Sequence, residues 1–108
     1  HSKLMFCLSG SVFDVAVDGK SLSGGAEFFK VDAGVSDGIR LDSDGNIWSS
    51  ATDGVHCISP QGNLLGKILV PEAVSNVCFG GRGKAWLYIT ASTSIYCIFL
   101  NCRGVQRP

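Results

Sequence analysis

An all-β fold is predicted by three features of the 108-residue chain. Apolar residues alternate with polar ones, Asp-Gly and Pro-Gln-Gly-Asn turns separate those runs, and the pattern returns after about 40 residues. That period is the length of one β-propeller blade, so the sequence reads as a partial β-propeller of nearly three four-stranded antiparallel blades. Residues 1–35 form the end of one blade, with strands expected at 3–8, 12–17 and 27–31. Residues 36–73 make a complete blade, with strands at 38–41, 47–50, 55–58 and 64–70. In its first strand Ile39 and Leu41 point one way and Arg40 and Asp42 the other. Asp44-Gly45-Asn46 reverses the chain because these residues tolerate positive φ, and Pro60-Gln61-Gly62-Asn63 forms the second hairpin. Residues 74–108 hold most of a further blade, with strands at 76–79, 87–91 and 95–100. There Val77 and Phe79 answer Ile39 and Leu41, Gly83 answers Gly45, and Ile95-Tyr96-Cys97-Ile98 answers Val55-His56-Cys57-Ile58. Gly80-Gly81-Arg82-Gly83-Lys84 lacks the strand–loop–helix setting of a phosphate loop and is read as a hairpin turn.

A ring of blades needs each sheet to bury its faces against two neighbours, which so few blades cannot do. Open faces and strand edges in water lead us to expect a piece of a larger ring that self-associates through its open blade edges.

Composition narrows the partners. The 14 glycines against 3 prolines suit one small domain of many tight turns. Basic and acidic residues both number 9, so no field favours nucleic acid or an anionic membrane. The most apolar stretch, 86–100, is broken by Thr90, Ser92, Thr93 and Ser94 and falls short of the roughly 18 to 20 residues of a membrane helix. No basic-then-apolar leader is legible, and a cytoplasmic location is expected. The five cysteines, Cys7, Cys57, Cys78, Cys97 and Cys102, form an odd set without the spacing of a zinc knuckle. They are expected to be buried thiols packed as small hydrophobes in a reducing compartment.

Asp37 stands apart from the other acids. Asp18-Gly19, Asp44-Gly45 and Asp53-Gly54 lie between strand-like runs, whereas Asp37-Gly38 leads straight into a strand after the irregular Ala33-Gly34-Val35-Ser36. In up-and-down blades the approach to the first strand and the link from second to third strand lie at one end, and both hairpins at the other. Asp37, Thr52, Asp53, Ser75, Asn76 and Ser92 to Ser94 therefore share an end. Asp37 and Asn76 each stand at or just before an innermost, channel-lining strand, and two oxygen-bearing side chains there suit a hard cation or a polar ligand. Taken alone, each residue also fits a plainer role: Asp37 as a cap of its own loop, Asn76 as a side chain bonded to loop backbone. Arg40 and Asp42 read as a solvated or inter-blade pair, Trp48, Trp86 and Tyr88 as inter-blade packing, and His56 as a surface or inter-blade histidine. Ser49-Ser50 lacks the Gly-x-Ser-x-Gly elbow and has no histidine placed as base, which excludes a serine hydrolase.

Residues 36–108 resemble the C-terminal part of the senescence-marker-protein, gluconolactonase and luciferin-regenerating-enzyme family of sugar lactone lactonases. The segments that carry the resemblance are DGIRLDSDGNIW, DGVHCISPQGNLLGKILVP, SNVCFGG and LYITASTSIY. The first 35 residues match loosely, through VFDV and LSGGAEFF. The resemblance implies a six-bladed propeller, a small-molecule sugar lactone as substrate, and a divalent metal cation (calcium, zinc, manganese or magnesium) at one end of the channel. It implies metal ligation by an early glutamate, a central asparagine and the aspartate of a Pro-Asp-Gly motif. Only the last maps onto this chain, at Asp37, where Ser36 replaces the proline that would fix φ. Asp37 is thus the expected metal ligand and candidate catalytic base, and Asn76 the expected substrate-binding residue. One carboxylate cannot hold calcium, which takes about six to eight oxygens, or zinc, which takes about three or four protein ligands. The chain is accordingly expected to be an inactive C-terminal piece of a metal-dependent lactone hydrolase. The alternative is a non-catalytic propeller scaffold that binds a partner through its channel-end loops, or a decayed or truncated product.

Overall fold

The computed structural model describes residues 2–6, 11–15, 22–27 and 38–105. Those residues form three antiparallel sheets joined in chain order. The first contains β1 (Ser2–Phe6), β2 (Ser11–Val15) and β3 (Leu22–Glu27). The second contains β4 (Ile39–Leu41), β5 (Ile47–Ala51), β6 (Gly54–Ile58) and β7 (Leu64–Leu69). The third contains β8 (Val74–Gly80), β9 (Trp86–Ala91) and β10 (Ile95–Phe99), with a single 3₁₀ turn at Arg82–Lys84 between β8 and β9. No helix among the described residues is long and apolar enough to cross a membrane.

From β4 onward the strands fall where alternation and turn residues place them. The third strand does not: it runs from Leu22 to Glu27 and meets the expected 27–31 only at Glu27. Its span is set by antiparallel pairing with β2, with a register shift between Val12 and Asp14. Residues 28–31 lie outside the described set.

The second and third sheets stack through an apolar core. Val55, Val70, Val74, Val77, Phe79, Leu87 and Ile89 are all buried in it. The Trp48 ring meets Phe79 edge to face at 6.1 Å. Trp48 therefore packs between sheets as expected, and the offset geometry lets the positive ring edge meet a negative ring face. The opposite face of the second sheet buries Ile47, Ala51 and Ile58.

Asp42 is 2 % exposed, not solvated. Its Oδ1 accepts the backbone N–H of Asp44 at 2.9 Å and of Asn46 at 3.0 Å. Its Oδ2 accepts Asn46 Nδ2 at 3.1 Å and Trp48 Nε1 at 2.9 Å. Burial pushes this carboxyl up, but the donors from Trp48, Asn46 and Asp44 outweigh burial and hold it below its ordinary value. Arg40 does not pair with it in the way expected; its Nη1 donates to the Ile39 carbonyl at 2.7 Å. The turn is pinned from outside as well. Ser43 N–H donates to Arg103 O at 2.7 Å, Gly104 N–H to Lys84 O at 3.0 Å and Val105 N–H to Leu41 O at 3.1 Å. The run after β10 thus ties the β4–β5 and β8–β9 turns together.

Two expectations about thiols and rings are corrected. Cys57 and Cys102 are half-buried, and burial pushes both thiols up to about 11. Cys78 and Cys97 are exposed instead of buried, because they lie on the face of the third sheet turned away from the core. Tyr88 shares that face and is exposed, while Trp86 packs against Phe99 of its own sheet at 5.4 Å. Cys7 lies outside the described residues.

Candidate functional site

Strand alternation brings the start of β4 and the β5–β6, β7–β8 and β9–β10 loops to one end of the stacked sheets. Asp37 lies outside the described residues, so the site is built from its successor, Gly38. Gly38 is buried: its N–H donates to Ser50 Oγ at 2.9 Å, and its carbonyl accepts the Ser50 N–H at 2.8 Å. Both backbone groups are satisfied by one residue of β5, which fixes the point at which the chain arrives from Asp37.

Asn76 belongs to the neighbouring sheet and lies against that same point. A β-carbon on Gly38 would fall 2.1 Å from Asn76 Oδ1 and 2.9 Å from its Cα, so only glycine admits this approach. The β8–β9 register shifts between Val74 and Asn76. A bulge of this kind bends a strand and re-aims its side chains, and Ser75 and Asn76 are consecutive exposed residues here. Asn76 Oδ1 accepts the Val77 N–H at 2.8 Å. An amide oxygen has two lone pairs, so one remains for a ligand. Ser75 Oγ lies 3.1 Å from Thr90 Oγ1, adding hydroxyls beside it.

Two acid-centred clusters on the same loops escaped the sequence reading. Glu72, before β8, accepts the Thr93 N–H at 2.9 Å, the Thr93 hydroxyl, and the Tyr96 hydroxyl at 2.6 Å. Those hydroxyls hold its carboxyl down to about 2, and the same bond pushes the Tyr96 phenol up. Glu72 so clasps the β7–β8 loop to the β9–β10 loop. Asp53, after β5, takes His56 Nε2 at 2.7 Å and Lys67 Nζ at 3.2 Å. The His56 bond, with help from Lys67, lowers the Asp53 carboxyl. His56 itself is buried on the Ile47 and Ile58 face, not at the surface. An acidic residue in each of two loops assigned to one end, with Thr93 and Ser94 in a third, was the available signal.

Among the described residues no three His, Cys, Asp or Glu side chains converge as a metal site. Asp53 and Glu72 are each taken up by protein donors, so the described part of this chain does not by itself fit a divalent cation. The open groove of about 270 Å³ lined by Trp48, Cys57, Leu65, Gly66, Lys67 and Ile68 does not include Asn76.

With this geometry in hand, the chain compares closely with known proteins. A family described as the SMP-30/Gluconolactonase/LRE-like region matches residues 9–93. A gluconolactonase of Zymomonas mobilis subsp. mobilis is 38 % identical over 65 residues, which are 58 % of this chain and 18 % of that protein. Regucalcin of Danio rerio is 31 % identical over 93 residues, 82 % of this chain and 32 % of that one. The structure of a gluconolactonase from Xanthomonas campestris superposes with a TM-score of 0.77 at 30 % identity, covering 83 % of this chain and 29 % of its own. The chain therefore spans a third or less of the relatives it matches here.

Proposed function

The chain belongs to the SMP-30/Gluconolactonase/LRE-like family, and from that premise we propose that it is the C-terminal part of a metal-dependent sugar-lactone hydrolase built on a β-propeller. The three sheets are read as successive blades, nearly three of six, with 36–73 the complete one. Asp37 is proposed as a metal ligand and general base and Asn76 as a substrate-binding residue. The observation that carries this is the seating of Asn76 on Gly38, which puts an exposed amide beside the backbone that leads from Asp37. A divalent cation bound there would polarise the lactone carbonyl and acidify a water. Asn76, with one amide lone pair and its N–H₂ available, would orient a sugar hydroxyl.

Balanced charge supports a small-molecule substrate and not nucleic acid or membrane, and a cytoplasmic location completes the reading. Asp37 supplies too few ligands alone, so the isolated chain is proposed to be inactive with added manganese, zinc or calcium. The test is lactone hydrolysis by the longer polypeptide that contains this stretch. Asp37→Ala should abolish turnover, and Asn76→Ala should raise KM more than it lowers kcat. Undiminished turnover in Asp37→Ala would refute the site, and turnover by the isolated chain would refute its incompleteness.

A further inference from the structure

Asn76 stands where its own strand holds it least. At the start of β8 the pairing with β9 shifts between Val74, opposite Ala91, and Asn76, opposite Thr90, which leaves Ser75 outside the ladder. Side-chain bonds take the ladder's place. Ser75 Oγ donates to the Thr90 carbonyl at 3.2 Å and lies 3.1 Å from Thr90 Oγ1, and the Thr90 hydroxyl reaches the Asn76 carbonyl at 3.4 Å. Ser75 and Thr90 are both exposed, so water competes for each of these bonds. The aim of the Asn76 amide therefore depends on how the chain enters the bulge.

That entry is the arch from Val70 to Val74. Both valines are buried in the core between the second and third sheets, and the Val70 N–H donates to Asp53 O at 3.1 Å. Pro71 and Ala73 are exposed, and between them Glu72 turns its carboxylate to the third sheet. One of its oxygens meets a fixed anchor: the Tyr96 ring packs against the same core, and its hydroxyl donates to Glu72 Oε2 at 2.6 Å. The other oxygen takes the Thr93 N–H at 2.9 Å and the Thr93 hydroxyl, in a turn that is closed by Ala91 N–H to Ser94 O at 3.0 Å. Both oxygens are engaged by protein donors, which suits a brace and not a ligand contact. We infer that Glu72 is a positioning residue for the lactone site: by tying the Val70 to Val74 arch to Tyr96 and Thr93, it fixes the Ser75-Asn76 bulge and keeps the Asn76 amide seated on Gly38. The inference rests on the reading of Asn76 as a substrate-binding residue.

The test joins amide exchange to kinetics. In the intact chain the Val77 N–H, which donates to Asn76 Oδ1, should exchange about tenfold faster in Glu72→Ala and in Tyr96→Phe. The Leu100 N–H, bonded to Ala85 O at the opposite end of the sheet, should keep its rate. Tyr96→Phe removes a single hydroxyl, so the test survives if Glu72→Ala does not fold, and far-ultraviolet circular dichroism checks every variant. In the longer polypeptide, Glu72→Ala should raise KM for the lactone about tenfold while kcat stays within about twofold. Glu72→Gln keeps an oxygen acceptor and can donate to the Tyr96 hydroxyl, so it should fall between the two. Because Glu72 acts through Asn76, adding Glu72→Ala to Asn76→Ala should change KM little further. Faster exchange confined to Thr93, or a Glu72→Ala effect on KM that persists in full beside Asn76→Ala, makes Glu72 a loop brace alone and overturns the inference. If Asn76→Ala leaves KM unchanged, the substrate role of Asn76 falls and takes the inference with it; if Asn76→Ala raises KM and Glu72→Ala moves neither Val77 exchange nor KM, only the role of Glu72 falls.

Discussion

The amide oxygen of Asn76 fills the space in which a β-carbon on Gly38 would stand, 2.1 Å from that position. Two sheets therefore touch through a side chain on one and bare backbone on the other. Gly38→Ala should cost about 1 to 3 kcal/mol in urea unfolding, the range for overpacking a closed site. Removing the amide in Gly38→Ala/Asn76→Ala should recover only part of that loss, since the Asn76 Cα would still lie 2.9 Å from the new methyl. Full recovery would mean the sheets approach less closely than the structure shows.

Asp42 binds four donors while almost fully buried, so its loss should be felt throughout the second sheet. Asp42→Ala leaves the Trp48 and Asn46 donors without their acceptor and should destabilise by about 2 to 4 kcal/mol. The sign of the pH effect follows from its lowered carboxyl. The ionised form is the one the fold favours, so the stabilisation is complete above the ordinary carboxylate value of 3.8 and is lost as pH falls through the lower folded value. Urea midpoints of the native chain should drop across that acid window more than those of Asp42→Asn. Parallel curves would remove Asp42 as the titrating group.

Trp48 and Phe79 join the second and third sheets edge to face at 6.1 Å. A double-mutant cycle with leucine at each position should return a coupling of about 0.5 to 1.5 kcal/mol, the worth of an aromatic pair beyond its buried area. Coupling near zero would show that the two sheets do not stack through this contact.

Which parts of this were legible in the sequence follows from what decides each feature. Strands β4 to β7 are set by local information: alternation at Ile39 and Leu41, turns at Asp44-Gly45 and Gly62-Asn63. They appear within about a residue of where those signals put them. Strand β3 depends on partners in β2, which propensity does not record. Asp42 looks like an exposed acid on an alternating strand; its burial comes from donors four and six residues ahead, at Asn46 and Trp48. Cys78 and Cys97 sit in apolar runs that resemble core, and only the stacking order reveals that their face is turned away from the buried core. At the site, parity brought Asn76 to the expected end. Its contact with Gly38 could not be read, because it depends on how closely two sheets approach.

Glu72 and Tyr96 share a hydrogen bond of 2.6 Å between loops that only the fold brings together. The Thr93 and Tyr96 hydroxyls hold Glu72 at about 2, against an ordinary 4.5. Its contribution is therefore intact above about 4.5 and fades as pH falls toward about 2. The phenol behaves in the opposite sense: its value is raised from 10.0, so what it adds is present below that pH and disappears as pH climbs through the higher folded value. Glu72→Gln removes the charge that opposes phenolate formation. Ultraviolet titration of Tyr96, isolated by a Tyr88→Phe background, should then shift to lower pH, and amide exchange at Thr93 should quicken as the clasp weakens. A titration that does not move would show that the carboxylate faces solvent and that the two loops are held by something else.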